Sequence, residues 1–278
     1  MESRDFVVSH RGKPGEVYAA DLRGHAILPA LINSHDHLHL NGIAPLPTSE
    51  TFANSYTWSC AFEAHFQRPE VKDALAVPEA LRLWQGALKN ALCGATTVMH
   101  HDPARALFDA DGFPVRTLRP CGWAHSLHWQ YGPPVVHSFR CTPPDVGWFI
   151  HLAEGTDELA AAELQELQGL DCLQANTVLI HGVGLSDADV ASVIASGAGL
   201  VWCPASNLRL LGQTVRPERL RLLFAAGRLT LGTDSRLSGS RDLLEELNDL
   251  LSLRRRRYGL AGCVGRSGGC RWGRGRGD

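Results

Sequence analysis

From about residue 26, short apolar runs rich in β-forming residues alternate with longer amphipathic stretches. The apolar runs predict eight strands, in AILPALINSH, ATTVMHH, FPVRTL, GWAHSLH, WFIHLAE, TVLIHGV, GLVWCP and LTLGTDS. Apolar residues at spacings of three and four predict helices over 71–92, 157–168, 186–196, 217–226 and 241–253. This alternation is typical of a parallel sheet covered by helices, so the predicted fold class is α/β.

Eight strands with intervening helices predict a (β/α)₈ TIM barrel. The weakest part is the middle, because only a few residues separate FPVRTL from GWAHSLH and no helix fits between them. No segment repeats at a fixed period, which argues against a solenoid.

Catalytic residues of such a barrel lie at the carboxyl ends of the strands. Polar residues that close an apolar run therefore carry most of the functional information. This criterion selects four histidines and one aspartate: His35, His37, His151, His181 and Asp234.

His35 and His37 are two residues apart, so both side chains can point to the same side of the first strand. Two imidazoles in this position form half of a metal site. A catalytic zinc ion needs three or more nitrogen or oxygen ligands and keeps one position open for water. His151 and Asp234 can supply the remaining ligands.

Composition places this chemistry in an ordinary globular protein of 278 residues, 44% hydrophobic and 20% charged. Eight scattered cysteines without a CxxC pair predict free thiols in a reducing compartment. No apolar run approaches the ~20 residues of a membrane helix, and the N-terminus lacks the apolar stretch of a signal peptide. We therefore expect a cytoplasmic protein that is not associated with a membrane.

The motifs LPALINSHDHLHLN, HLAEGTDE, VLIHGVGLS, VWCPASNLRLLG and LGTDSRLSGSRDLLEEL resemble, in order, those of the amidohydrolase superfamily. The deaminase and chlorohydrolase branch is the most similar. The resemblance implies that one metal is bound by His35, His37, His151 and Asp234. It also implies that Asp234 takes a proton from the bound water, that His181 polarises that water or the substrate, and that Glu154 protonates the leaving nitrogen.

Many superfamily members hold two metals bridged by a modified lysine on the fourth strand. This chain has three lysines, Lys13, Lys72 and Lys89, and none of them ends a middle strand. We therefore expect one divalent metal ion, with zinc favoured over iron. A bound metal lowers the pKa of its water to about 7, and the two carboxylates can then move the protons.

The expected activity is hydrolysis of a carbon–nitrogen bond other than a peptide bond, as in deamination of a cyclic amine or amidine or hydrolysis of a related amide. The substrate is expected to be a small molecule. Three further residues, His39, Asn41 and His101, follow the first two strands and are candidates for substrate contact. Formation of a homo-oligomer is left open.

Two departures from the family leave alternatives open. The family's small β-sandwich is represented by a partial segment over 1–25, ahead of a barrel over 26–253. The segment 254–278 carries eight Arg and eight Gly and predicts a disordered tail. One alternative is a truncated, catalytically impaired remnant, and another is nucleic-acid binding through the tail, which we disfavour.

Overall fold

The computed structural model describes residues 7–8, 18–19, 28–47 and 50–253. The chain divides into two units, Met1–Ala30 and Leu31–Asp278. In the first unit, strands β1 (Val7–Val8) and β2 (Tyr18–Ala19) pair antiparallel. The rest of the predicted sandwich segment and the Arg/Gly tail lie outside the described residues, so those two domain assignments stay predictions.

The second unit contains a strand within each of the eight apolar runs. Their bounds are β3 (Leu31–Asp36), β4 (Ala95–His100), β5 (Arg116–Thr117), β6 (Gly122–Trp123), β7 (Trp148–Leu152), β8 (Thr177–His181), β9 (Gly199–Trp202) and β10 (Leu229–Leu231). The predicted weakness in the middle is confirmed, because β5 and β6 have two residues each and no helix between them.

The eight strands form two parallel sheets. One has three strands in the order β3-β4-β5, and the other has five in the order β10-β9-β8-β7-β6. A parallel bridge between Asp36 and Asp234 links the two sheets beside β3 and β10. The strands thus follow one another in chain order and return to the first, which is the arrangement of a (β/α)₈ barrel.

Nine helices occur in the described part of the chain. They are α1 (Ser55–Phe66), α2 (Pro69–Ala76), α3 (Glu79–Leu92), α4 (Val135–Cys141), α5 (Glu158–Gly169), α6 (Asp187–Ser196), α7 (Pro204–Leu211), α8 (Pro217–Ala225) and α9 (Leu243–Leu253). No helix among the described residues is long and apolar enough to span a membrane. The six described cysteines are free, as the sequence predicted.

The prediction of one helix over 71–92 was wrong, because two helices occupy this stretch. Pro78 disfavours helical backbone at Val77, whose ψ is 129°, so α2 ends at Ala76 and α3 starts at Glu79. The prediction also missed α1, α4 and α7. The α7 segment does carry end signals, since Pro204 starts the helix and Gly212 ends it with a φ of 68°.

Both sheets pack on apolar clusters, and the three-stranded sheet also has a buried polar network. The five-stranded sheet packs on a large apolar core that includes Trp148, Ile150 and Leu179, all fully buried. Behind β3, by contrast, the fully buried Asp36 carboxylate accepts hydrogen bonds from amides and pairs with Lys89 at 2.8 Å. The polar network fixes the end of β3, which carries the first two histidines.

Candidate metal centre

The ends of three strands bring the four predicted ligands together. His35 lies in β3 and His151 in β7, while His37 and Asp234 follow β3 and β10. The Nε2 atom of His35 lies 3.3 Å from Nε2 of His151 and 3.4 Å from Oδ1 of Asp234. Nε2 of His37 is 3.6 Å from the same Asp234 oxygen. The four predicted ligands thus form one buried cluster.

Hydrogen bonds orient two of these imidazoles. Nδ1 of His151 donates to the carbonyl of His125 at 2.9 Å, so Nε2 of the neutral ring carries a lone pair. Nδ1 of His37 donates to Oδ2 of Asp102 at 2.7 Å. Metal-binding histidines commonly donate their second nitrogen to a carbonyl or carboxylate, because this bond fixes the ring and its tautomer.

Asp234 is oriented by two serines. Its Oδ2 atom accepts hydrogen bonds from the hydroxyls of Ser206 (2.7 Å) and Ser238, which leaves Oδ1 facing the histidines. Burial opposes the charged form of Asp234, but a hydrogen bond from His35 and the positive charge on His37 outweigh it. The pKa of Asp234 is therefore held well below its usual range. The carboxylate is anionic where the imidazoles converge.

The histidines of the cluster differ in charge. Burial lowers the pKa of His35 to about 4, so this ring is neutral at pH 7. Burial also opposes the charged form of His37, but the adjacent Asp102 carboxylate raises the pKa of His37 to about 9. A metal ion bound at Nε2 of His37 would take the place of its proton, because histidine coordinates metals in the neutral form.

This arrangement fits a divalent metal ion. One small space is faced by the lone pair of His151, an anionic carboxylate oxygen and the Nε2 atoms of His35 and His37. A single proton cannot hydrogen-bond to all of these atoms at once. Imidazole nitrogen and carboxylate oxygen are ligand types that zinc prefers. Among the described residues, His35, His37 and His151 belong to a group of four histidines that could hold a metal ion, and Oδ1 of Asp234 adjoins His35.

Glu154 and His181 form a buried pair beside the cluster. His181 ends β8, and its Nδ1 donates to Oδ1 of Asn207 at 2.8 Å. Its Nε2 lies 3.6 Å from Oε1 of Glu154, which also accepts a hydrogen bond from the indole of Trp58 at 3.2 Å. Burial raises the pKa of Glu154 above its ordinary value. The carboxyl group is thereby suited to holding a proton.

Backbone strain coincides with the site. Ala153, His181 and Asp234 have φ values of 53°, 76° and 61°, in the left-handed region that non-glycine residues seldom occupy. Such conformations persist when surrounding contacts impose them, and they cluster at functional sites. Here they redirect the chain at three strand ends, where the predicted catalytic side chains are attached.

The predicted substrate residues lie in three different environments. His39 is on the 3₁₀ helix Leu38–Leu40, with Nδ1 3.6 Å from Oδ2 of Asp102. Asn41 is buried and not part of the cluster, since its amide bonds Asp36 and Lys89. His101 is fully buried within the cluster. The geometry favours a structural role for Asn41, and its predicted substrate contact stays a prediction.

Sequence reasoning missed two residues that contact the site. Asp102, which orients His37, directly follows the histidines at the end of β4, so the strand-end criterion contains the signal for it. Trp58 lies on α1, a helix that was not predicted, and 96 residues separate it from Glu154. No local pattern identifies that contact. Ser206 and Asn207 lie on α7 and form hydrogen bonds with Asp234 and His181.

No protein-family model matches the chain. A stretch of 106 residues is 33% identical to the 5-methylthioadenosine/S-adenosylhomocysteine deaminase of Pyrococcus abyssi, covering 35% of this chain and 24% of that protein. The protein of the same name from Thermococcus sibiricus is 23% identical over a longer alignment, covering 83% of this chain and 63% of the relative. The chain thus spans less than two thirds of the length of these relatives.

Solved structures share the fold. An adenosine deaminase from Xanthomonas campestris with bound Zn superposes with a TM-score of 0.57 at 17% identity, covering 82% of this chain and 61% of that one. A triazine hydrolase from Arthobacter aurescens gives 0.54 at 18% identity, covering 77% and 61%. The sequence relatives are thus named as deaminases, and the solved structures show a shared fold.

Proposed function

We propose that this protein is a metal-dependent hydrolase that deaminates a small aminated heterocycle. One observation carries the proposal: the ligand atoms of His35, His37, His151 and Asp234 converge directly beside the buried Glu154–His181 pair. Hydrolysis of a carbon–nitrogen bond requires two parts, a metal-binding site and a carboxyl group that carries a proton. Both lie here at the ends of neighbouring strands.

The proposed ligands are His35, His37, His151 and Asp234, and the proposed ion is zinc. Imidazole suits zinc and iron alike, but a fold neighbour carries zinc. When bound, the metal would supply a water molecule activated for attack at neutral pH. The chain itself contributes a site that is poor in water, because every one of these side chains is buried. It also contributes the anionic carboxylate of Asp234.

Glu154 is proposed to deliver the proton to the leaving nitrogen. Burial raises its pKa, so a protonated Oε atom is available closer to neutral pH than in an exposed glutamate. His181 donates from Nδ1 to Asn207, which leaves Nε2 as an acceptor facing Oε1 of Glu154. His181 thereby faces the carboxyl group and helps to orient it.

Asp234 is proposed to accept a proton at Oδ1. Its Oδ2 atom accepts hydrogen bonds from the hydroxyls of Ser206 and Ser238, so Oδ1 is the oxygen left both to bind the metal ion and to accept a proton. The two carboxylates then divide the work. Asp234 is anionic and can receive a proton, whereas the raised pKa of Glu154 suits it to release one.

Aminated purine nucleosides are the first substrates to test, because the sequence relatives are named as deaminases of 5-methylthioadenosine and S-adenosylhomocysteine. Aminated or chlorinated triazines are the second class, because a fold neighbour is a triazine hydrolase. Among the predicted substrate residues, His39 is the best placed, since it is partly exposed and adjoins Asp102.

The direct test is release of ammonia by the purified full chain after loading with Zn²⁺. We expect release from at least one aminated heterocycle, and loss of that release in His35→Ala and in Glu154→Gln. Glu158→Gln, an exposed glutamate four residues further along, serves as the control. Release that persists in His35→Ala would exclude this centre as the source of the activity.

A further inference from the structure

We propose that His101 is a fourth imidazole ligand of the same metal ion, binding through Nδ1. This inference rests on the metal centre of the proposed function, and it replaces the substrate contact that the sequence suggested for His101. His101 directly follows β4, the strand that pairs with β3, and its side chain is fully buried.

Hydrogen bonding leaves one nitrogen of His101 free. Nε2 donates to the carbonyl of Ala124 at 2.9 Å, so Nδ1 of the neutral ring carries a lone pair. That atom is buried and has no hydrogen-bond partner. Buried polar atoms are normally hydrogen-bonded, and one that is not indicates a bound water, an ion or a functional role. The bond to a carbonyl is also the orienting contact that metal-binding histidines commonly make.

The position of the ring accounts for the free nitrogen. The His101 ring stacks on His151 with centroids 4.3 Å apart, and its centroid is 5.2 Å from that of His35. One nitrogen from each of His35, His37, His101 and His151 falls within a common span of 4.8 Å. A cation among three of these nitrogens would therefore lie within reach of the fourth.

His65 shows that a free nitrogen alone does not make a ligand. It is also buried, with Nε2 on the carbonyl of Ala44 at 3.2 Å and Nδ1 without a partner. His65 belongs to neither of the two groups of metal-ligating side chains found among the described residues. The two histidines share a hydrogen-bond pattern and differ in their neighbours, which makes His65 a matched control.

The second such group consists of His39, His100 and Asp102. The hydrogen bonds within this group argue against its binding a metal ion. Nδ1 of His100 accepts the backbone N–H of Leu38 at 3.3 Å, which places the proton of the neutral ring on Nε2. Both oxygens of Asp102 are already hydrogen-bonded, by His37 and by Tyr131. The free lone pair belongs to His101 and not to His100.

The test compares metal affinity in the wild type, His101→Asn and His65→Asn, using the full chain and a chromophoric chelator that competes for Zn²⁺. Changes around a metal typically cost about 10- to 100-fold in affinity, and we expect at least that loss for His101→Asn and none for His65→Asn. Unchanged affinity of His101→Asn, accompanied by a raised KM, would overturn the inference in favour of a substrate contact.

A second measurement needs no variant and therefore does not depend on the folding of one. X-ray absorption of the zinc-loaded wild type should show four imidazole nitrogens among the ligands. Three imidazoles would overturn the role of His101 while leaving the proposed hydrolase intact. A wild-type protein that binds no zinc would overturn both proposals, so the two failures are distinguishable.

Discussion

The two parallel sheets contribute different chemistry to one site. The three-stranded sheet supplies imidazoles for holding a cation, and a polar network around Asp36 fixes the end of its first strand. The five-stranded sheet rests on an apolar core and supplies the carboxyl groups that carry protons, Glu154 and Asp234. The five-stranded side also supplies two of the four proposed metal ligands, His151 and Asp234 itself. The division implies that metal binding and proton transfer can be impaired separately.

The largest expected effect is on turnover, from the five-stranded side. Glu154→Gln removes the proton carrier but leaves the proposed ligands, so kcat should fall by about 10²- to 10⁴-fold while metal content stays unchanged. Steady-state kinetics together with elemental analysis measure both quantities. A variant that loses its metal as well would show that the two functions are not divided between the sheets.

The next effect is on stability, from the three-stranded side. Lys89→Met leaves the buried Asp36 carboxylate without its cation, and breaking a buried ion pair in this way costs about 3–5 kcal/mol. Urea unfolding measures the change, with the exposed Lys72→Met as the control. The double variant with Asp36→Asn should recover part of the loss. If Lys89→Met unfolds at the wild-type midpoint, the polar network does not hold this sheet.

On the five-stranded side, we expect the stability of the fold to depend on pH. Glu163 on α5 accepts hydrogen bonds from Tyr56 and from the N–H of Ala153, the strained residue between His151 and Glu154. Burial raises the pKa of Glu163 from 4.5 to about 7, so the folded state holds this proton more tightly than the unfolded state.

This contribution to stability is therefore fully present below about pH 4.5 and is lost as the pH rises to about 7. The loss is on the order of 3 kcal/mol, at about 1.4 kcal/mol per pKa unit. Glu163→Gln cannot titrate, so its stability relative to the wild type should increase over this range. Unfolding curves at pH 5 and pH 7.5 give the difference. If the difference in unfolding free energy between the variant and the wild type does not change with pH, Glu163 does not titrate in this range.

The smallest effect concerns the orientation of His37. Asp102→Asn removes the negative charge beside Nδ1 of His37 and should weaken zinc binding by about 10- to 100-fold. Chelator competition measures the affinity, and the exposed Asp109→Asn is the control. A variant with wild-type affinity but reduced kcat would assign Asp102 to the chemical step instead of to binding.

Local sequence patterns were sufficient for the strands and for the residues at their ends. His35, His151 and His181 each lie at or near the end of an apolar run, and the barrel topology then brings such ends together. Helices were predicted less well. The apolar spacing continues through 71–92 and by itself predicts one helix. Pro78 is the residue that divides this stretch into two helices.

Contacts between distant residues could not be predicted in this way. The free nitrogen of His101 depends on the carbonyl of Ala124, 23 residues away, and the orientation of His181 depends on Asn207, 26 residues away. A histidine at a strand end has the same sequence signature whether it contacts a metal, a substrate or a carbonyl. The proton positions that separate these roles follow from the three-dimensional hydrogen bonds.

We expect one chain to bind one metal ion through histidines from both sheets. The most direct measurement is the zinc content of the purified full chain after dialysis, beside His35→Ala from the three-stranded sheet and His151→Ala from the five-stranded sheet. We expect one zinc per wild-type chain and a large loss in both variants. A wild type without stoichiometric metal, or a variant that retains full zinc content, would contradict the account.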